Sequence, residues 1–513
     1  MSVHDFITAP AVVVGGGIAG LSTALALEGC VVASGAAVGD GASRLAQGGI
    51  AAAIDPRDSP ALHADDTMRV SAGLGDAGIA ALVTAAAPSR IAWLREMGVA
   101  FDRDADGKPA LGREAGHGRH RIVHAGGDRT GAAVMQALAA AAKRRGDIRL
   151  LEGYTLVDLI AAGGRAAGVL LESADGARLA VLAPQVVLAT GGIGACFEHT
   201  TNPPSSRGAG LAAAARHGVR LADLEFMQFH PTALAVAGDP QPLLTEALRG
   251  AGALLVDGRG RRFMTQVHPD AELAPRDIVA REVAGRRRSG QAVFLDATGV
   301  GGLAERFPGA VAIARAAGLD PFREPLPVAA SAHFHMGGIA TDADGATSLP
   351  GLRACGEVAS TGLHGGNRLA SNSLLEGLVF GEHIARAIRT EAVPAPRGPL
   401  QVPRRVQLPA FDAARIGALR RLVGESLGPV RDGATLTAAR ERIAGWRCGS
   451  RAEEDLTAVA GLMLSAALSR RESRGAHYRS DFPAPGQAPP ARQVVLPEAT
   501  ATDSLRLTRS RVA

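Results

Sequence analysis

Residues 11–27, AVVVGGGIAGLSTALAL, constrain the fold more than any other stretch of this chain. A four-residue apolar run enters a glycine turn and leaves as an apolar helix. Gly15, Gly17 and Gly20 fit the spacing GxGxxG in the strand–turn–helix setting that gives it physical meaning. Glycines there let the backbone approach a pyrophosphate at a helix N-terminus, where free N–H groups favour an anion. The same glycines also suit a plain tight turn, so the motif needs company. The next strand, near Cys30–Ala33, is followed by Ser34 where a ribose-binding acid would stand. That argues against a standard NAD site.

The strand-to-glycine pattern returns in VVLATGG (186–192) and in LRACGEV (352–358), with a helix expected from about Ser371 to Ile388. Only the first unit carries GxGxxG. One large dinucleotide-binding domain, 1–223 with 336–404, is therefore expected to be interrupted by a mixed strand and helix insertion, 224–335. Beyond a Pro-rich connector (395–405), Ile416, Leu419, Leu422 and Val423 form one apolar stripe; Leu456, Val459, Leu462 and Met463 form another. These predict helices over 411–470 in a C-terminal domain, 405–513, closed by a loosely ordered Pro-rich tail. A chain of 513 residues is too long for one compact core, which agrees with several domains.

The net charge of +5 comes from 55 basic and 50 acidic residues spread along the chain, without the clustered charge and interleaved aromatics of a nucleic-acid surface. Cys30, Cys196, Cys355 and Cys448 are far apart and show no metal-ligand spacing, so neither a metal site nor a disulfide framework is expected. The first ten residues lack a basic leader before an apolar core, and no charge-free apolar stretch reaches bilayer-spanning length. A cytoplasmic protein without membrane or nucleic-acid partners is expected.

Residues 110–127, ALGREAGHGRHRIVHAGG, hold Arg113, Arg119, Arg121, His117, His120 and His124, a set suited to gripping an anion. A single carboxylate, Glu114, lies among them. It is either a loop salt bridge to Arg113 or Arg119, or an acid needed by a ligand.

An ordered set of motifs decides what this frame resembles. GGGIAG, GASRLAQGGIAAA (41–53), ATGGIG, EFMQFHPTAL (225–234), LTEALRG, PRDIVAR (275–281), HFHMGG, CGEVASTGLHGGNRLASNSLLEG (355–377) and ESRGAHYRSDFP (472–483) span nearly the whole chain. Together they resemble the flavoprotein family of succinate dehydrogenase, fumarate reductase and L-aspartate oxidase. The resemblance implies an α/β FAD-binding dinucleotide fold interrupted by an α+β capping domain and followed by a C-terminal helical domain. It implies FAD held by Gly15, Gly16, Gly17, Ile18, Ala19 and Gly20 at the pyrophosphate. Ser43, Ala46, Gln47, Gly48 and Gly49 would wrap the flavin, Glu357 would hold a ribityl hydroxyl, and Ser373–Leu374 would open a helix toward the reduced ring. Ala42 occupies the slot of the family's covalent-linkage histidine, so the FAD should be non-covalent. Ser34 and Ala209 depart from the family pattern and predict weaker FAD binding.

The same resemblance gives Arg276, Glu246, His230 and His333 catalytic roles and makes Glu114, Thr245 and Arg368 substrate-binding residues. An arginine is a poor general base because its pKa exceeds about 12, so Glu246 would relay the proton. Glu114 in REAGH matches the aspartate-oxidising members, and the chemistry agrees. Succinate and fumarate are dianions that a lining carboxylate repels, whereas the α-ammonium of aspartate needs an anion beside it. The expected reaction is L-aspartate oxidation to iminoaspartate with O2, giving H2O2, or with fumarate as acceptor. It would open de novo NAD biosynthesis through quinolinate, with a quinolinate-forming enzyme as a candidate partner. The alternatives are a soluble fumarate-reducing or succinate-oxidising enzyme, an FAD-dependent RNA-modifying protein, which would need catalytic cysteines and a basic groove, and an inactive flavin-binding sensor.

Overall fold

The computed structural model describes residues 2–507 apart from 4, 392–393, 395, 404–411 and 505. The expected boundary at 404–405 and the last residues of the tail, 508–513, lie outside the described residues. At its centre is a five-stranded parallel sheet in the order Leu352–Ala354, Gln185–Leu188, Ala11–Val14, Cys30–Ser34, Ile148–Glu152. Parallel strands are covered on both faces and therefore read as continuous apolar runs. Ala11–Val14, with all four residues buried, is the clearest case.

Alternate residues of these strands feed two cores. Val13, Val32 and Val187 pack with the helices Ile18–Ala26, Ala77–Glu96, Thr130–Arg144 and Asn372–Thr390. Val12, Val14, Val31, Val186 and Leu188 face the other core. That core also contains the antiparallel strands Tyr154–Ala162, Arg165–Ser173 and Arg178–Leu182. The helices Ala413–Ser426, Gly433–Ala444 and Arg451–Ser469 insert Ile416, Leu419, Leu422, Val423, Leu436, Ile443, Leu456, Val459 and Met463 into the same cluster. Leu462 sits at its margin, half-buried. Helix Ala77–Glu96 is long and apolar enough to span a membrane, but its Ile79, Val83, Ala87, Ile91 and Leu94 are core residues here.

Within 224–335, Met227–Leu234, Leu326–His335, Val293–Asp296 and Leu254–Asp257 form an antiparallel sheet with its own apolar cluster, against which helix Arg276–Arg288 packs. The tail differs from expectation. Val494–Val495 pairs with Leu221–Ala222, and Thr502–Ser504 pairs with Gln401–Pro403. Backbone pairing ties down a segment whose proline content suggested looseness.

Strand order reverses beside Ala11–Val14, so the crevice at the carboxyl ends of the strands is the natural ligand site. Gly15 turns there with φ +129°, and a Cβ on it would lie 2.0 Å from the Ala189 carbonyl oxygen. Gly20 plays a different part from the one expected of it. It lines no part of the crevice; a Cβ there would lie 2.0 Å from the Gly15 carbonyl oxygen and 3.4 Å from Ala189 Cβ. Its bare backbone lets the helix sit directly against the turn. Gly20→Ala is expected to cost about 1–3 kcal/mol through overpacking, read as a lower thermal unfolding midpoint and a smaller FAD content in the purified protein. Wild-type values of both would contradict this role.

Candidate active site

Two helices begin at the crevice with no capping bond from the side chain of their own N-cap residue. Ile18–Ala26 starts after Gly17, and Asn372–Thr390 starts after Ser371. Both ends present free N–H groups to a cavity of ≈ 450 Å³, which favours negative charge at each. Gly15, Gly16, Gly17, Ile18 and Ala19 line it at the first helix. Ser43, Ala46, Gln47, Gly48 and Gly49 line its wall, and Glu357, Ser373 and Leu374 its far side. Ser43 Oγ accepts from Ile18 N at 3.2 Å, so the 43–49 segment is docked on the helix start. Among the described residues, Gln47 Oε1 and Thr190 Oγ1 are buried at this cavity without partners. Bare glycine backbone, two uncapped helix ends and unmet polar atoms fit FAD. Ala42 lines the same wall with a methyl group, which offers no atom for a covalent link. Ser34 and Ala209 also line the cavity and bring no carboxylate to it. Burial pushes the Cys30, Cys196 and Cys355 thiols up to about 12 and raises the part-buried Cys448 thiol as well. Of the four only Cys355 lines the cavity, so none is set up as a ready thiolate for an RNA-modifying reaction.

At the other end the cavity gathers Glu114, His230, Thr245, Glu246, Arg276, His333 and Arg368, every residue expected at the substrate. All but His333 are also buried by overall exposure. Arg276 Nε donates to Glu246 Oε2, and its NH1 donates to Gln228 Oε1 at 3.1 Å. Arg249 NH2 lies 3.2 Å from the other oxygen of Glu246. Burial pushes the Glu246 carboxyl upward, but the Arg276 and Arg249 charges outweigh it and hold the group below the usual carboxylate range. Arg368 lies over the Phe334 ring, 4.5 Å from its centroid, and donates through NH1 to Ser373 Oγ. Among the described residues its Nε has no partner. Burial, followed by the Arg276 charge, brings its pKa down to about 9, so it is still cationic at pH 7.

His230 and His333 meet edge to face with centroids 5.0 Å apart. Burial, reinforced by Arg276, drives both well below the ordinary imidazole range, leaving neutral rings that donate one N–H each. His333 Nδ1 sits 2.8 Å from Thr201 Oγ1, which ties the ring to the 200–202 segment.

Glu114 is 3 % exposed, and its Oε2 accepts from Ser371 Oγ at 2.6 Å. Among the described residues it has no ion-pair partner, and no donor meets Oε1. Arg113 instead donates to the His117 carbonyl at 3.0 Å, and Arg119 is exposed. Burial and the neighbouring Glu246 charge raise the Glu114 pKa above its ordinary value, against the pull of Ser371, Arg276 and Arg368.

The cation-rich run at 110–127 does not grip a ligand as its composition suggested. Arg121 is fully buried and forks onto Asp58 at 2.8 and 2.9 Å and onto Asp66 at 2.5 Å. His117 lies 3.2 Å from Arg121 NH1 and 2.9 Å from the Ala370 carbonyl. This network fixes the loop, and Glu114 is the one member of the run that reaches the cavity. The cavity's cations come from Arg276 and Arg368.

Gln228, Arg249 and Ser371 were missed in the sequence reading. Gln228 stands two residues before His230 in the same strand, and its Nε2 also holds Asn367 Oδ1 at 2.8 Å and the Arg368 carbonyl at 2.9 Å. Arg249 follows Glu246 by one helical turn. Ser371 has no spacing signal, since its place depends on a left-handed backbone (φ +62°) that serine rarely adopts.

The FAD binding domain family model matches residues 11–374, and the Fumarate reductase flavoprotein C-term model matches residues 449–493. The chain is 47% identical over 488 residues to the L-aspartate oxidase of Mesorhizobium japonicum, covering 94% of this chain and 93% of the relative. It is 44% identical to the L-aspartate oxidase of Streptomyces coelicolor, with 93% and 89% covered. Among solved structures, a variant of Escherichia coli quinol fumarate reductase superposes with a TM-score of 0.87 at 26% identity, covering 99% of this chain and 98% of that one. Mycobacterium smegmatis Sdh1 superposes with a TM-score of 0.79 at 28% identity, with 97% and 95% covered. The chain belongs to the L-aspartate oxidase family of FAD-dependent oxidoreductases, within the fumarate reductase and succinate dehydrogenase flavoproteins.

Proposed function

We propose that this enzyme oxidises L-aspartate to iminoaspartate, as a cytoplasmic catalyst opening NAD biosynthesis through quinolinate. The observation that carries the reading is Glu114, a buried carboxylate that has no ion-pair partner among the described residues and shares its end of the cavity with Arg276 and Arg368. Leaving such a charge unmatched is expensive, and the cost falls away when a ligand brings an ammonium to it. A carboxylate and an ammonium of aspartate match Arg368 and Glu114 in sign, and the second carboxylate can meet the neutral donors beside Arg276. The names of the curated relatives supply the same substrate.

FAD, held by the glycine turn and the 43–49 wall, would supply the acceptor for the hydride on substrate C2, with O2 (leaving as H2O2) or fumarate as the final two-electron acceptor. The protein's own groups bind and orient. Arg368, whose planar fork suits a carboxylate, clamps one end of the substrate. Neutral His230 and His333, with Thr245, donate to the other carboxylate, and Glu114 holds the nitrogen. Arg276 faces the cavity while bonded to Glu246, and Glu246 also meets Arg249, so a proton exchanged at Arg276 has a carboxylate beside it. The sheet and helices of 224–335 bring His230, Thr245, Glu246, Arg276 and His333 over the FAD-binding crevice as a cap.

Replacing Arg368 with Leu removes the carboxylate's charged partner, a loss of about 2–5 kcal/mol. Aspartate oxidation and fumarate reduction should both collapse while FAD is retained; near-normal kinetics on either substrate would make Arg368 structural. Glu114→Gln keeps the shape and removes the charge. Aspartate oxidation should fall by about 2–4 kcal/mol, roughly thirtyfold to a thousandfold in kcat/KM, while fumarate reduction persists or improves. In the unaltered enzyme, aspartate turnover should fade with acidification through a pKa above the ordinary glutamate value, and the Gln variant should lack that limb. Equal losses of both activities in Glu114→Gln would overturn the assignment and favour a fumarate-reducing or succinate-oxidising enzyme.

A further inference from the structure

Ser371 occupies the N-cap of the helix Asn372–Thr390, where a serine hydroxyl ordinarily bonds to the first free N–H groups of its own helix. Here it makes no such bond. Its backbone is left-handed, with φ +62° and ψ +7°, a conformation that costs a residue with a Cβ and persists only where the surroundings hold it. The turn directs Oγ away from the helix to Glu114 Oε2 at 2.6 Å. The Ser371 carbonyl accepts from Ala51 N at 3.1 Å, which ties the same residue to the strand that follows Gly48 and Gly49. Gly48 leaves space for the pair: a Cβ there would lie 3.1 Å from Glu114 Oε1 and 3.4 Å from Ser371 Oγ. The hydroxyl is the single hydrogen-bond donor to Glu114 among the described residues, and it occupies one oxygen only.

We infer that Ser371 is a positioning residue for substrate selection: its hydroxyl fixes Glu114 through Oε2, so that Oε1 is presented to the amine of an amino dicarboxylate. This rests on the reading of Glu114 given above. A donor on Oε2 favours the ionised carboxylate, since a hydroxyl proton binds the anion better than it binds the neutral acid. It also restricts rotation of the carboxylate, so the free oxygen keeps one direction. Uncapped, the helix keeps its N–H groups available to the cofactor side of the cavity.

Ser371→Gly separates this role from a backbone role, because glycine adopts the left-handed conformation more easily than serine and loses only the hydroxymethyl group. The expected result is a fall of about tenfold in the ratio of aspartate kcat/KM to fumarate kcat/KM, carried mainly by the aspartate KM. The acid limb of the aspartate profile should move to higher pH, with FAD content kept. Adding Ser371→Gly to Glu114→Gln should cause little further loss, because the hydroxyl acts through the missing charge. An unaltered ratio and acid limb in Ser371→Gly would overturn the inference; so would equal losses on both substrates or an additive double variant. Glu114→Gln alone tells this failure from that of the underlying reading. If it lowers the ratio while Ser371→Gly does not, Glu114 selects the amine without help from Ser371. If neither lowers it, both readings fall.

Discussion

Helix Ile18–Ala26 and helix Asn372–Thr390 must lie unusually close for their two N-termini to share one cavity, and glycine makes this approach available. A Cβ on Gly377 would lie 3.0 Å from Ile18 Cγ2, and one on Gly381 would lie 2.7 Å from Ser22 Cβ. Both helices pack on the same face of the parallel sheet, behind the point where strand order reverses. Each brings uncapped N–H groups to the carboxyl edge of the sheet, and they arrive from different parts of the chain. A long anionic cofactor can then be held at one helix start while its redox end meets the other. The second helix also brings Ser371, Ser373 and, just before it, Arg368 to the wall where the substrate residues gather.

The second constraint is electrostatic. A cavity screened from water makes every unmatched charge costly, so the buried ions form sets with definite partners. Glu246 lies between Arg276 and Arg249, and Arg121 lies between Asp58 and Asp66. Among the described residues Glu114 holds one hydroxyl and no cation. Among the same residues Glu357 in that cavity accepts only the His335 N–H, and Asp128 elsewhere accepts two backbone N–H groups. Glu114 is thus the unpaired carboxylate beside the cavity's guanidinium groups. Arg368 is its complement, with an Nε unpartnered among the described residues and a bond to an uncharged serine. An unpaired anion and an incompletely paired cation along one cavity describe a zwitterionic substrate more closely than a simple dianion.

Much of this was legible in the sequence because it was local. The apolar strands, the glycine turns and the helix beginning near Ser371 follow from composition over a few residues, and the structure starts that helix at Asn372. The motifs around His230, Glu246, Arg276, His333 and Arg368 named residues that the fold brings to one cavity. What escaped depended on partners far along the chain. Nothing near Arg121 shows that Asp58 and Asp66 will absorb its charge, so a cation-rich run looked like a ligand site. Gly20 fits a binding motif, yet its clearance from the Gly15 carbonyl makes it a packing residue. The tail read as loose because proline is scarce in sheets, whereas the short runs Val494–Val495 and Thr502–Ser504 find edge partners.

Selection of a ligand by its ammonium group at Glu114, as proposed above, is tested most directly by binding. 2-Methylaspartate has no hydrogen on C2 to give up, and 2-methylsuccinate is the same dicarboxylate with the amine removed. Titrating each into the FAD-loaded enzyme, with the flavin absorbance as readout, isolates the contribution of the nitrogen. The amine-bearing ligand should bind about tenfold or more tightly at neutral pH, and this preference should disappear as acid protonates Glu114. Equal or tighter binding of 2-methylsuccinate at neutral pH would contradict the account, because it would place the unpaired carboxylate outside the ligand's reach.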